Sequence, residues 1–239
     1  MPLPQIATPT YELTLPSTEE KIDYRPFLVK EEKLLVLAME SEDTKEITKA
    51  VKAVIKNCIK TKGIKVEQLP TFDIEYLFLN IRGKSVGEEV EVNIICPDDG
   101  KTQVPVKIMI DEIEVDKDPN HTTKFSVDDN LMVEMRYPSL DQFIMSNFNL
   151  SDGNQIEQSF DLISSCVDKI YNEEEVWVAE DFSKSEMKDF IESMNSNQFK
   201  KIESFFETMP KLKHEIKVKN PETGKSSIVI LEGLSSFFA

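Results

Sequence analysis

The sequence predicts an α+β fold, because two different periodicities of apolar residues occupy different parts of the chain. Apolar residues recur at spacings of three and four in residues 47–58 and at a spacing of two in residues 89–110. With 239 residues and 40% hydrophobic content, the chain can bury a substantial core. We expect a mixed α+β domain at residues 1–137, with a central antiparallel sheet at residues 86–137. A mainly helical domain that closes with a β-hairpin is expected at residues 138–239.

A β-hairpin is predicted near the start of the chain. Apolar and polar side chains alternate in residues 11–15 and again in residues 22–25, as they do in half-buried strands. Pro16, Ser17 and Thr18 lie between these runs, and all three are typical turn residues. We expect the two strands to pair across this turn.

Residues 25–41, RPFLVKEEKLLVLAMES, are the most distinctive segment of the chain. Pro26 suits a chain that leaves a strand or enters a helix. A polar first turn at residues 30–33 is followed by residues 34–39, which are apolar on every face of the helix they would form. A helix that is apolar all round is buried, either in a core or against a partner. The segment is therefore predicted to be a strand, a turn and a buried helix. The helix is buried either in the core of the protein or against a partner.

Two further helices are predicted after this segment. Apolar residues recur at helical spacing in residues 47–58, and residues 41–43 offer N-cap chemistry before them. This amphipathic helix is expected to end near Gly63. Residues 72–81 are denser in apolar side chains, which predicts a largely buried helix that Gly83 stops.

The period changes from helical to two in the middle of the chain. Residues 89–95 and 104–110 alternate between apolar and polar, and the turn CPDDG at residues 96–100 lies between them. Its Asp-Gly pair tolerates a positive φ in a tight turn. Short apolar runs at residues 113–115 and 131–135 are predicted to complete one small antiparallel sheet.

The last hundred residues are predicted to be mainly helical. Helical spacing recurs in residues 140–148, 156–170, 185–194 and 196–209. Residues 173–182, which contain the single tryptophan, are predicted to be a connecting loop, with a recognition loop as the alternative. Residues 214–231 read as a second hairpin with a four-residue turn. Residues 116–124, which are polar and contain Pro and Asn, are the best candidate for an exposed loop.

The acidic balance limits the partners that the chain can bind. A formal net charge of −16 opposes binding to nucleic acid or to an anionic membrane surface, because both need clustered Lys and Arg. A basic protein partner fits better, although solubility alone also explains the charge. The sequence shows neither a secretory signal nor an apolar run near the roughly 20 residues that span a bilayer. We therefore expect a protein that is soluble and intracellular when it is made.

No catalytic, cofactor-binding or metal-binding residues are predicted. Cys58, Cys96 and Cys166 are few and widely spaced, which argues against a disulfide framework. A zinc knuckle at Cys96 would need a second cysteine where Asp99 stands. The chain lacks a Gly-rich phosphate loop, and its paired acids fall at polar turns and helix starts, where acids commonly cap helices.

Five blocks of sequence resemble one known family. They are residues 8–18 (TPTYELTLPST), 25–41, 69–88 (LPTFDIEYLFLNIRGKSVGE), 136–143 (RYPSLDQF) and 205–239. In combination and order they are similar to the baseplate hub protein family of T4-like contractile-tailed bacteriophages. The resemblance implies a role in forming or assembling the hub, without known catalytic residues. It also implies other baseplate hub or tail proteins as partners, an oligomer within the baseplate as an option, and locations in the host cytoplasm during assembly and in the virion tail.

Apolar side chains outside an obvious catalytic context are the candidate partner-binding residues. They are Leu34, Leu35, Leu37, Phe72, Tyr76, Trp177, Leu234, Phe237 and Phe238. The last three belong to an apolar tail that either packs back on the fold or docks in a neighbour. Two other functions stay open: a transient assembly chaperone that is absent from the mature virion, and a hydrolase that uses clustered carboxylates.

Overall fold

The structure, a computed structural model, describes residues 6–142, 155–233 and 236, and it confirms the α+β class. The chain forms two compact units, one of Met1–Asp116 with Lys211–Ala239 and one of Lys117–Pro210. The predicted division into domains at residues 137 and 138 stays a prediction, since a compact unit is defined by packing and a domain by independent folding.

The helices are α1 (Val29–Glu40), α2 (Thr44–Cys58), α3 (Thr71–Val86), α4 (Gln155–Ser165), α5 (Lys184–Glu192) and α6 (Ser196–Thr208). Short 3-10 turns lie at Val66–Gln68, Ile110–Glu112 and Ala179–Asp181. The strands are β1 (Tyr11–Thr14), β2 (Lys21–Tyr24), β3 (Glu89–Ile95), β4 (Gln103–Met109), β5 (Glu114–Asp116), β6 (Lys124–Ser126), β7 (Met132–Met135), β8 (Val167–Tyr171), β9 (Val176–Val178), β10 (Lys211–Lys219) and β11 (Ser226–Glu232).

The helices of the first unit differ from the prediction mainly at their ends. Asp43 caps α2 by accepting a hydrogen bond from the Lys45 N–H, but the helix ends at Cys58 and does not reach Gly63. Helix α3 continues through Gly83, because this position packs closely on the next segment. A Cβ atom there would lie 2.9 Å from Ile110 Cδ1, so glycine serves the packing and does not end the helix.

The strands form four antiparallel sheets with the orders β1-β2, β3-β4, β11-β10-β5 and β6-β7-β8-β9. The N-terminal and C-terminal hairpins are therefore present as predicted. The strands that were expected to form one central sheet are instead shared among three. Strand β5 pairs with β10, and β7 pairs with β8, so each joins a partner that lies far along the chain.

The core of the first unit lies between α3 and two of these sheets. Strand β3 alternates between exposed and buried residues and turns Val90, Val92 and Ile94 inward. These side chains belong to one buried cluster with Leu79 of α3 and Leu212 of β10. The alternation in the sequence thus correctly predicted which face of β3 is covered.

The second unit contains three strands where no strand was predicted, and the first of them is β6, which pairs with β7. The expected helix at residues 156–170 ends at Ser165, and Val167–Tyr171 continues as β8. Residues 176–178, predicted to lie in a loop, form β9 beside it. Strand pairing decides these outcomes, because β8 pairs with β7 and β9 pairs with β8. A strand neighbour can override a short helical pattern.

His121 is half-buried, whereas the sequence placed it in an exposed loop. Its Nδ1 lies 2.8 Å from Thr208 Oγ1, and its Nε2 lies 2.9 Å from Tyr137 Oη. The ring also packs against Phe205. Burial lowers the pKa of His121, although nearby Asp118 acts in the opposite direction. The residue therefore ties its loop to the second unit and is a structural histidine.

Candidate partner-binding surface

Helix α1 presents apolar side chains to solvent. Val29 is 80% exposed, Val36 48%, Leu37 54% and Met39 62%. The sequence predicted that residues 34–39 would be covered by a core or by a partner. Within the part of the chain that the structure describes, a core does not cover them. An exposed apolar patch of this kind is typical of a surface that binds another molecule.

The position of α1 in the first unit explains this exposure. Helix α1 packs against α2, and α2 in turn packs against α3. Val54 and Ile55 of α2 are fully buried, whereas Leu35 and Ala38 on the inner side of α1 are only half-buried. Helix α1 therefore lies on the outside of a stack of three helices, with one side packed on α2 and the other left uncovered by the described residues.

A buried ion pair fixes the start of α1. Arg25 Nη2 donates to Glu31 Oε1 at 3.0 Å, and the side chain of Glu31 is 1% exposed. The other carboxylate oxygen accepts the Leu28 N–H at 2.8 Å. Burial alone would raise the pKa of Glu31, but the hydrogen bonds from Arg25 and Leu28 outweigh it and lower the pKa. Glu31 is therefore ionised and holds the first turn in place.

Two backbone N–H groups just before α1 donate hydrogen bonds to the other helices. The Phe27 N–H donates to Ser85 Oγ of α3 at 2.9 Å. The Arg25 N–H donates to the carbonyl of Cys58 at the end of α2 at 3.0 Å. The start of α1 is thus held rigidly, and the exposed face is presented in a defined orientation.

The structure separates the other predicted contact residues from this face. Phe72 is 3% exposed and belongs to the interior. Tyr76 and Trp177 are half-buried and pack against the cores of the first and second units respectively. Leu234, Phe237 and Phe238 lie outside the described residues. Of the predicted set, only Leu34, Leu35 and Leu37 lie on α1.

Two edge strands expose apolar residues that the sequence analysis did not select. Ile228 and Ile230 point outward from β11, which lies at the edge of its sheet. Val176 and Val178 do the same on β9. The sequence contains a signal for the exposed residues of β11, namely the unbroken apolar run at residues 228–231. A strand with one solvent-exposed face normally alternates between apolar and polar residues.

Hydrogen bonds join two turns of the first unit, the turn that contains Asp98 and Asp99 and the turn that contains Asn220 and Thr223. The first of these is the turn where a zinc knuckle was considered. Buried Asn220 donates to Asp98 Oδ1 at 3.0 Å and to Asp99 Oδ2 at 2.9 Å, and Thr223 donates to Asp98. Hydrogen bonds from Thr102 and the backbone lower the pKa of Asp99. Among the described residues, no group of three or more His, Cys, Asp or Glu side chains could hold a metal ion.

An open groove of about 470 Å³ lies in the second unit. Its lining includes Arg136, Asp161, Ser164 and Lys184. Asp161 is the one carboxylate among the described residues that line it. Paired carboxylates for general acid and base catalysis are therefore not brought together there. In residues 6–142 and 155–233, helices also fall short of the length and apolar content needed to cross a membrane.

A comparison with protein families identifies the family of the chain. The model described as T4 bacteriophage base plate protein matches residues 8–239, which is nearly the whole chain. The chain belongs to this family. A T4 bacteriophage base plate protein is a structural protein of the virion tail and interacts with other baseplate proteins. Searches of curated proteins and of solved structures found no match.

Proposed function

We propose that this protein is a non-enzymatic component of the baseplate hub and acts through protein–protein contacts. The observation that carries the proposal is the exposed apolar face of α1, defined here by Val29, Val36, Leu37 and Met39. Family membership supports the baseplate, and this face supports binding to another protein there. The protein is made in the host cytoplasm and joins the hub during assembly.

The same surface serves a subunit that stays in the virion and an assembly chaperone that leaves it. Mass spectrometry of purified virions separates these two roles. A fixed stoichiometry in the tail identifies a hub subunit. Absence from the virion, together with failed hub assembly when the protein is missing, identifies the chaperone. If baseplates assemble normally without the protein, the proposed function is wrong.

A pair of variants with matched exposure tests the surface itself. Leu37 is 54% exposed on α1, and Ile95 is 53% exposed on β3. In phage that lack the wild-type protein, Leu37→Lys is expected to abolish complementation, because it places a charge in the apolar face. Ile95→Lys adds the same charge elsewhere and is expected to complement. Equal behaviour of the two variants would contradict a specific role for α1.

The hydrolase alternative has a direct test. The paired carboxylates of Asp98 and Asp99 both accept hydrogen bonds from Asn220. Asp161→Asn changes the single carboxylate among the described lining residues of the groove. We expect this variant to assemble baseplates like the wild type. A loss of phage production with normal folding and hub incorporation would favour a hydrolase.

A further inference from the structure

We propose that the exposed face of α1 binds a second copy of this chain, with the two α1 helices packed antiparallel. This inference rests on the proposed function, since it names the partner of the surface proposed there. Its argument comes from the order of charges along the helix and from the row of side chains on its outer side.

The outer side of α1 carries a row of residues at the spacing of helix pairing. Val29, Lys33, Val36 and Glu40 follow one another at intervals of four, three and four, so they lie along one side of the helix. All four are exposed. Leu37, which is also exposed, lies beside the middle of this row. An apolar centre is therefore flanked by a lysine toward one end and a glutamate toward the other.

Charge changes sign along the helix. Lys30, exposed Glu32 and Lys33 lie in its first half, where Arg25 and Lys30 both pair with buried Glu31, so Lys33 is the unpaired cation there among the described residues. Glu40, Glu42 and Asp43 lie at and just beyond its end. An acidic residue at a helix C-terminus is unfavourable to the helix dipole, so the helix itself gains nothing from Glu40. An antiparallel copy would place Lys33 opposite Glu40.

One register satisfies the charges and the apolar residues together. When Lys33 faces Glu40 of the other copy, Val36 faces Leu37. The two-fold axis then passes between Val36 and Leu37, and every contact occurs twice, as an isologous dimer requires. Registers shifted by three or four residues set Lys33 or Glu40 against Val36 or Leu37. The pattern is therefore self-complementary in a way that an unrelated partner would not require.

The charges of this row are free to act in such an interface. Lys33 and Glu40 are separated by seven residues, about 10 Å along the axis, so they cannot pair with each other. Within the described chain, neither takes part in a salt bridge. The net charge of −16 opposes association at long range, but physiological salt screens it beyond about 8 Å. A helix of this length gives a small interface, so we expect a weak dimer.

A charge swap in the full-length protein tests the inference. Sedimentation equilibrium at physiological salt should show a monomer–dimer equilibrium for the wild type. Lys33→Glu turns both symmetric pairs into like-charge pairs and is expected to weaken the dimer at least tenfold. Glu40→Lys should do the same. The double variant Lys33→Glu/Glu40→Lys restores opposite charges and should restore the dimer.

Cross-linking gives a second readout that does not depend on charge. The native Cys58, Cys96 and Cys166 are buried, so an introduced cysteine is the accessible thiol among the described residues. A short bismaleimide should link two copies of Val36→Cys, which lie beside the two-fold axis. Ile95→Cys, with comparable exposure to Val36, should remain monomeric.

The outcomes distinguish this inference from the proposed function. A wild-type monomer at high concentration overturns the second-copy proposal, and so does a dimer that is unaffected by Lys33→Glu or not restored by the double swap. Circular dichroism of each variant checks that the fold is retained. If the protein is monomeric but Leu37→Lys still blocks baseplate assembly, the inference falls and the proposed function stands, with a different protein on α1.

Discussion

Helices α1 and α3 lie in the same unit and are both rich in apolar residues, yet one is exposed and the other is buried. Ile74, Leu77 and Leu79 of α3 are fully inaccessible to solvent. Val36, Leu37 and Met39 of α1 are about half exposed or more. The helices differ in their neighbours, because α3 packs against α2, β5 and β10, whereas α1 packs against α2.

This difference shows that an apolar sequence alone does not identify which element, if any, buries the helix. In α3 the cover comes from α2, which precedes it in the sequence, and from β5 and β10, which follow it. In α1 the anchor at Arg25 and Glu31 lies within the unit, and the described residues leave the apolar face exposed. The two helices can therefore be separated by experiment, since the same change should affect folding in one and association in the other.

The largest effect is expected from Leu79→Ala in α3. Leu79 is 0% exposed in the core cluster of the first unit. Removing a buried leucine side chain loses its transfer free energy and leaves a cavity, so the free energy of unfolding should fall by about 2–5 kcal/mol. Urea unfolding followed by circular dichroism measures the change. A loss below about 0.5 kcal/mol would show that α3 is not part of the core.

The anchor of α1 should give the next largest effect. Glu31→Gln keeps a similar shape but leaves the guanidinium of Arg25, which is 12% exposed, without its negative partner. We expect the free energy of unfolding to fall by about 2–3 kcal/mol, because an unpaired buried charge is costly. The double variant Arg25→Met/Glu31→Gln should be less destabilised than Glu31→Gln alone. If the single and the double variant are destabilised equally, the unpaired charge of Arg25 is not the cause of the destabilisation.

Acid should remove the same stabilisation in the wild type. The pKa of Glu31 is lowered in the folded chain from its ordinary value of 4.5. The unfolded chain therefore takes up this proton first, and the stabilisation that is present above pH 4.5 is lost as the pH falls below it. The difference in stability between the wild type and Glu31→Gln should shrink below this pH. The cost of Leu79→Ala involves no titration and should change little over the same range.

The smallest effect on folding is expected from Leu37→Ala in α1. This is the same change as Leu79→Ala, but at a position that is 54% exposed. The free energy of unfolding should change by no more than about 0.5 kcal/mol. It should be measured at low protein concentration, because self-association would add to apparent stability. A loss as large as that of Leu79→Ala would show that α1 is covered within the chain.

Local patterns predicted many of the elements, and long-range pairing decided the exceptions. The alternation in residues 89–95 predicted both β3 and its buried face, and the spacing in residues 47–58 predicted α2. The helical pattern at residues 156–170 was wrong at its end, where β8 pairs with β7. His121 looked exposed because its partners, Thr208 and Tyr137, lie in other elements. Such contacts leave no periodic trace in the residues around them.

The candidate surface was predictable in part. Leu34, Leu35 and Leu37 were selected because residues 34–39 are apolar on every face of a helix. Phe72 was selected for the same reason, but it is buried. The opposite charges of Lys33 and Glu40 are visible in the sequence. Their meaning depends on knowing that both face outward, which follows only from how α1 packs on α2.

The sequence by itself determined the α+β class, the family, and the buried face of regular elements such as β3. These properties depend on short periodicities and on blocks of residues that can be read in order. Only the tertiary structure decided which segments cover one another. It placed α2 between α1 and α3 and joined β5 to β10, and among the described residues it left one side of α1 exposed. The physical reason is that burial depends on neighbours, and most of these neighbours are distant in the sequence.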